Sequence, residues 1–580
     1  MLSWPKEKRY TLLRALIPVL WLASSVTVNH AAETHPARGA ARRLNRAEYN
    51  YSVRDLLGVN LQPAADPTGL SHPTSLHARH NFPADAEYAF QATVGGSELP
   101  GSEVHMAAWI DGEEIATLDG ITGHKLEMRA HVTAGEHTVS LSYLRLGRTG
   151  RINLLEIDGP FDLATGPDER CRKLLYTCGH LDGRHEPGCG RKIVGDCAHR
   201  AFRRPVTPAE VERLTSLAAM AQARGASFEE GLTVAIQAIL VSPNFLFHLK
   251  SESLAARLSY FLWSSIPDDE LLALEEKGRL RSPAVLAAQV RRMLRDPKAV
   301  RLARNFGGQW LGTRRLDTVK PDGEKFPGFD DHLRYSMRCE TDLFFENLIR
   351  EDGGILDFLN ARYSFLNGRL AVLYGIPGVT GPEFRKVDLT GTPRGGVLTQ
   401  ASVLTVSSSA TRTSPVLRGK WILENLLNSP PLPPLPDVPN LDETIVGASA
   451  SMRQELDRHR TDAVCASCHA RMDPLGFGLE NFNAIGEWRT QDGPFPVDAS
   501  GALPDGRHFQ GALELKAALA AKPEVFTRSL TEKLLIFALG RGLEASDRPA
   551  VANIVKRVAA GGYRFSALIL EIARLDADRA

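Results

Sequence analysis

The sequence predicts a multidomain, mainly α-helical chain with one inserted β-sandwich domain. Three patterns carry that expectation. Between residues 200 and 374, apolar side chains recur at helical spacing, as in Leu254, Leu258, Phe261 and Leu262. Between residues 82 and 161 the pattern shortens to strand-length segments, with turns at Asp111-Gly112 and Ala134-Gly135-Glu136. Further on, a single Cys465-Ala466-Ser467-Cys468-His469 string sits in a C-terminal α-helical region.

At 580 residues the chain has room for roughly three to five domains. Its 43% hydrophobic and 24% charged content is ordinary for a globular protein. A net charge of +1 excludes the broad basic footprint of a nucleic-acid binder. Residues 1–32 read as a secretory signal, because Lys6, Lys8, Arg9 and Arg14 precede an apolar run over 15–28. The cut before Ala31 or Ala32 is poorly marked, so an uncleaved N-terminal anchor is the alternative, and any membrane contact would be through this segment alone. The apolar run is short for a span, and no other run of about 18 apolar residues occurs. A periplasmic or otherwise exported location follows.

An N-terminal helical module is expected over 41–80. Asn45 and Glu48 make a capping box, Tyr49, Val53, Leu56 and Leu57 an apolar stripe, and Gly58 a stop. The β-sandwich follows over 82–162. Trp109 or Tyr143 there would offer a ring to a sugar, and core packing is the other reading of Trp109. Residues 171–250 open on a cysteine-rich link, Cys171, Cys178, Cys189 and Cys197, with His180, His185 and His199 interleaved. A zinc site is one reading. Irregular spacings and an oxidising compartment favour two disulfides among the four, in one of three connectivities. Cys339 is left over as a buried helix thiol. A capped helix start at Thr207-Pro208-Ala209-Glu210 continues this module, and a central helical module spans 253–380.

Residues 392–492 combine a Ser/Thr-rich loop, a proline-rich spacer over 430–439 and the Cys465 string. Thr411, Arg412, Thr413 and Ser414 stand before a helix, where they would bind an anion, a sugar or a haem propionate, or simply cap the helix. The spacer is a semi-rigid polyproline II segment. Cys465 and Cys468 followed by His469 is the pattern of covalent c-type haem attachment. Two thiols about one helical turn apart reach the two vinyl groups of one haem, and His469 supplies the proximal nitrogen to its iron. A surface disulfide or a half-built zinc site are the alternatives. Met472 lies too close to His469 to reach the opposite haem face, which leaves His508, His459, another module or no side chain as distal ligand. A C-terminal helical module is expected over 503–576.

The order of these modules resembles a family of exported proteins abundant in planctomycetes and myxobacteria: domain of unknown function 1592 with companion modules 1587, 1595, 1588 and 1585. Arg43-Leu44-Asn45 with Val53-Arg54-Asp55-Leu56-Leu57-Gly58 looks like its first module. Ala201-Phe202-Arg203-Arg204-Pro205 and Leu258-Ser259-Tyr260-Phe261-Leu262-Trp263 resemble the next two. Thr411 to Pro415, the Cys465 string, Asp473-Pro474-Leu475-Gly476-Phe477 and Glu480-Asn481-Phe482 resemble the haem-motif module, and Leu530 to Leu534 the last. The resemblance implies a carbohydrate-binding-like sandwich and a cytochrome c-like motif module. Longer members carry a further N-terminal cytochrome module, whereas this chain has one haem motif.

The function expected from these features is that of an exported mono-haem c-type protein. It would work in electron transfer or in oxidation of a polysaccharide-related substrate, with a periplasmic redox partner protein and a glycan as partners. A cell-envelope glycan-binding or scaffold protein, with Cys465 and Cys468 as a disulfide, is the competing class. A hydrolase ranks last, since no Gly-x-Ser-x-Gly elbow or distinct carboxylate pair is present.

Overall fold

The computed structural model describes residues 41–58, most of 71–161, and 169–579 apart from 250–251, 382 and 433–450. The signal over 1–32 and most of the proline-rich spacer lie outside the described residues. What is described is multidomain and mainly helical, with small antiparallel sheets.

The first helix, Arg46–Leu57, begins and ends where its sequence dictates. Asn45 accepts from the Glu48 N–H at 2.9 Å, Glu48 accepts from the Asn45 N–H at 2.8 Å, and Gly58 closes the helix at φ +73°. Tyr49, Val53, Leu56 and Leu57 pack with Ile193, Val194, Ile236 and Phe245 in one apolar cluster. Asp55 faces elsewhere, and accepts two hydrogen bonds from Arg301 of the central module at 2.7 and 2.9 Å. Both side chains are buried.

Seven strands occupy residues 75–161: β1 (Ser75–Phe82), β2 (Ala86–Gly96), β3 (Glu103–Ile110), β4 (Glu113–Ile121), β5 (Lys125–Val132), β6 (Gly135–Tyr143) and β7 (Gly150–Phe161). One antiparallel sheet runs β1-β6-β3-β4, with the short Ser71–His72 strand outside β1. The other runs β5-β2-β7. Phe82, Tyr88, Phe90, Met106, Leu126 and Val139, drawn from both sheets, form one apolar cluster. Met106, Ala108 and Ile110 of β3 face that cluster, so Trp109 alternates to the opposite face, where it is half-buried.

From Leu254 onward the helices close over one large core, with a second apolar cluster beside it built on Leu316, Phe329, Met337, Leu366 and Tyr374. Trp310 packs edge-on against Phe358 at 5.0 Å, and Phe345 against Phe358 at 4.8 Å. The same cluster takes Met472, Leu475, Leu479 and Phe482 from the Cys465 region and Leu568, Ile569 and Ile572 from the last helix, Phe565–Arg579. Arg257 donates to Asp576 at 2.9 Å across this core. The central, haem-motif and C-terminal segments are therefore packed into one body.

Burial alone would raise the Asp55 pKa, but the Arg301 hydrogen bonds and the charges of Arg301 and Lys298 outweigh it and hold it at about 2. A depressed carboxylate pKa stabilises the fold fully above about pH 4, and the contribution is lost as pH falls through the folded value. Asp55→Ala strands Arg301 in the interior and should cost about 3–5 kcal/mol at neutral pH. Thermal unfolding from neutral to acid pH checks this: the variant melts lower at pH 7, and the gap to the parent narrows in acid.

Candidate functional site

The Cys465 string lies on the helix Ala463–Phe477. Asp462 caps it, accepting from the N–H groups of Val464 at 2.7 Å and Cys465 at 3.2 Å. Cys465, Cys468 and His469 are at positions i, i+3 and i+4 and so share one helix face. Both cysteines are half-buried, and Val464 beside them is 57% exposed. Asp473, one turn beyond His469, is fully buried, and its two carboxylate oxygens lie 3.0 and 3.2 Å from His469 Nδ1. That contact fixes the imidazole and leaves Nε2 as its outward nitrogen. These residues fit a covalent haem: two thiols on an accessible face, and a histidine oriented by a carboxylate as metal-ligating histidines commonly are.

The expected distal ligands are not brought opposite His469. His459 packs edge-on against His469, ring centroids 4.9 Å apart at 77°, which leaves no room for a porphyrin between the two rings. His508 is exposed on the strand His508–Gln510 and lines a cleft with Arg453, Arg460, Pro474, Phe477 and Phe509. Pro474 lies nine residues after Cys465, about half a turn round the helix, so this cleft adjoins the face away from the cysteines. Met472 is core.

The Ser/Thr-rich loop proves to be a latch for this helix. Ser414 caps the helix Pro415–Asn425, accepting from the Leu417 N–H at 3.2 Å. Buried Thr413 donates to Glu480 at 2.7 Å, and Arg489 donates to the same carboxylate at 2.9 Å. Arg418 is fully buried, and donates to the carbonyls of Leu479 (2.7 Å), Phe482 (2.8 Å) and Asn483 (2.8 Å) and to Glu480 (3.2 Å). Burial lowers its pKa to about 10, so it stays charged at neutral pH. Thr411 and Arg412 are half-buried, and Arg412 donates to the Thr413 carbonyl at 3.3 Å. Of the residues expected to bind a ligand or to cap the helix, Ser414 caps it and Thr413 bonds Glu480 within the fold. The two helices touch through backbone: a Cβ on Gly419 would collide with the Met472 carbonyl, and one on Gly476 with the Pro415 carbonyl.

The cysteine-rich link also differs from expectation. All seven cysteines are free, so neither predicted disulfide is formed. Cys171 donates to the Leu57 carbonyl at 3.1 Å, and Cys197 is enclosed in the cluster beneath the first helix. Each of these outer cysteines is held by its own packing. Cys178 and Cys189 come together instead, and they do so with His180 and His185. Cys339 is half-buried rather than buried. The i+4 spacing of Asp473 to His469 is a signal in the sequence, whereas nothing local joins Arg418 to Glu480.

The fold and site define a helical multi-module chain that carries a Cys-x-x-Cys-His motif on one helix. Five family models match it in order: protein of unknown function (DUF1587) over residues 42–107, (DUF1595) over 189–249, (DUF1592) over 249–376, (DUF1588) over 394–492 and (DUF1585) over 505–577. The chain belongs to this DUF1592 multi-module family. The fourth model, which contains the Cys465 string, bears the cytochrome-like name PSCyt3. No curated protein and no solved structure matches the chain. Among the described residues, no helix is long and apolar enough to cross a membrane.

If Thr413 serves the latch, Thr413→Val should destabilise the protein by about 1–3 kcal/mol, because Glu480 loses a buried donor. Denaturant unfolding measures the loss, and the haem content of the folded protein should be unchanged.

Proposed function

We propose that this chain is an exported c-type cytochrome-like protein that carries one haem on Cys465 and Cys468 and ligates its iron through His469. It acts in electron transfer or in oxidation of a polysaccharide-related substrate. The observation that carries this reading is the placement of Cys465, Cys468 and His469 on one face of a single helix, with buried Asp473 aligned on His469 Nδ1. The PSCyt3 match over the same segment supports it. Bound haem c supplies one-electron redox chemistry at its iron. The chain's own residues do the positioning. Asp473 holds the imidazole tautomer with Nε2 free to ligate and raises its basicity, while Met472 and Leu475 anchor the second half of the helix in the core. A periplasmic redox protein is the partner this chemistry requires. The two-sheet module is read as a carbohydrate-binding-like β-sandwich, and Trp109, on the outer face of β3, is the ring it offers to a glycan.

A pyridine haemochrome spectrum of protein exported from a host with haem-attachment machinery tests the reading. A c-type band that survives acid-acetone extraction is expected. No band, with Cys465 and Cys468 recovered as a disulfide, would replace it with the envelope-binding or scaffold reading. His469→Ala should abolish or strongly alter the Soret band. Asp473→Asn should keep the attached haem and raise its reduction potential, by about 60 mV for each tenfold loss of preference for ferric iron. An unchanged potential would sink the positioning role of Asp473.

A further inference from the structure

A second donor cluster lies in the loop that joins Glu169–Leu175 to Cys189–Phe202. Its sequence is Cys178-Gly179-His180-Leu181-Asp182-Gly183-Arg184-His185-Glu186-Pro187-Gly188-Cys189. Gly179, Gly183 and Gly188 take φ values of +91°, +80° and +97°, which side chains resist, and the chain doubles back on itself. The doubling brings Cys178 Sγ to 3.6 Å from His185 Nδ1 and Cys189 Sγ to 3.4 Å from His180 Nδ1. One ligand atom from each of the four residues lies within 4.8 Å of every other. A tetrahedral ion bonded to sulfur at about 2.3 Å and to nitrogen at about 2.0 Å has sulfur–nitrogen edges of about 3.5 Å. The cluster is close to that size already.

Its surroundings behave as an outer shell. The Glu186 N–H donates to Cys189 Sγ at 3.2 Å, and the Glu186 carboxylate stands 3.7 Å from His180 Nε2, the nitrogen turned away from the cluster. Cys189 opens its helix, and the Gly188 cap has no side chain to compete for the helix's positive end. His185 stacks on Phe228 at 4.2 Å and meets Tyr176 edge-on at 4.8 Å. Its buried Nε2 has no hydrogen-bond partner among the described residues, so packing alone holds the ring with Nδ1 towards Cys178. Little else holds the loop down. Asp182, Arg184, Glu186 and Pro187 are all exposed.

We propose that Cys178, His180, His185 and Cys189 bind one zinc ion as a closed structural site that pins this loop to the helical module. On binding, the two thiol protons leave to solvent, and Zn²⁺ with two thiolates and two neutral imidazoles is electrically neutral. Four protein ligands leave no open position, so the site braces rather than catalyses. The competing fate of the two sulfurs is oxidation to a disulfide, and the experiment separates the two.

The full-length exported protein is produced in zinc-supplemented medium and purified without chelator. Elemental analysis should give one zinc per chain, and zinc-edge X-ray absorption should show two sulfurs at about 2.3 Å and two nitrogens at about 2.0 Å. Any haem iron is invisible at that edge. Cys178→Ser and His185→Ala should each lose the zinc, while Cys339→Ser, on a different helix, should keep it. Removing zinc with a chelator should expose the peptide between Cys178 and Cys189 to protease, and ZnCl₂ should restore protection. Recovery of Cys178 and Cys189 as a disulfide in the non-reduced peptide map would overturn the proposal, as would free thiols without zinc or a zinc shell lacking sulfur. Because the absorption is read on the parent protein, a variant that fails to fold does not prevent the spectrum from deciding.

Discussion

Arg418 has no contact with water, and apart from one hydrogen bond to the Ser408 hydroxyl its charge is met from the stretch that follows the Cys465 helix. A buried guanidinium costs several kcal/mol unless its donors are well paired. Leu479, Glu480, Phe482 and Asn483 must therefore keep their places, and the turn they form keeps the preceding helix in its place. Thr413 and Arg489 complete the Glu480 carboxylate from two further directions. The glycine contacts at Gly419 and Gly476 then fix how deeply the two helices interlock, because backbone meets backbone with nothing compressible between.

From that constraint follows the division of labour on the helix Ala463–Phe477. Met472, Leu475 and Phe477 are buried in its second half. Cys465 and Cys468, in its first half, remain half-buried, and Cys468 reaches the edge of the core. Asp473 sits between the two regimes, enclosed like a core residue yet in contact with the half-buried His469. The chemistry expected of the motif thus depends on packing established by residues some fifty positions earlier in the chain.

Local signals are legible in the sequence. The Asn45–Glu48 and Thr207–Glu210 capping boxes form as their spacing predicts, and so does the helix stop at Gly58. Strands β2, β3, β4 and β6 are visible as strand-like segments. β5 carries the same period of two, with Lys125, Glu127, Arg129 and His131 outward and Leu126, Met128 and Val132 inward, but its Lys, Glu and Ala residues are weak strand formers. The cysteine link departs from its expected pairing for a different reason. Spacing alone cannot reveal that three glycines fold Cys178 and Cys189 together while Cys171 and Cys197 are drawn into separate packing. The Arg418–Glu480 contact joins residues 62 apart, and no pattern at either end announces it.

The last helix has a consequence for how the molecule comes into being. Phe565–Arg579 packs on Leu254–Trp263 and Pro283–Arg295, and Asp576 is joined to Arg257 across 319 positions of sequence. Five modules can be recognised along the chain, but the later three share their interior and cannot mature one after another as they leave the ribosome. Loop-closure entropy on this scale delays such distant contacts until both ends of the closing loop are present. Until its final helix arrives, the central module lacks the edge-on cover that Phe565 gives Phe345 and the ion pair that Asp576 gives Arg257. A chain in that condition is well suited to being threaded across a membrane and poorly suited to waiting in a crowded cytoplasm.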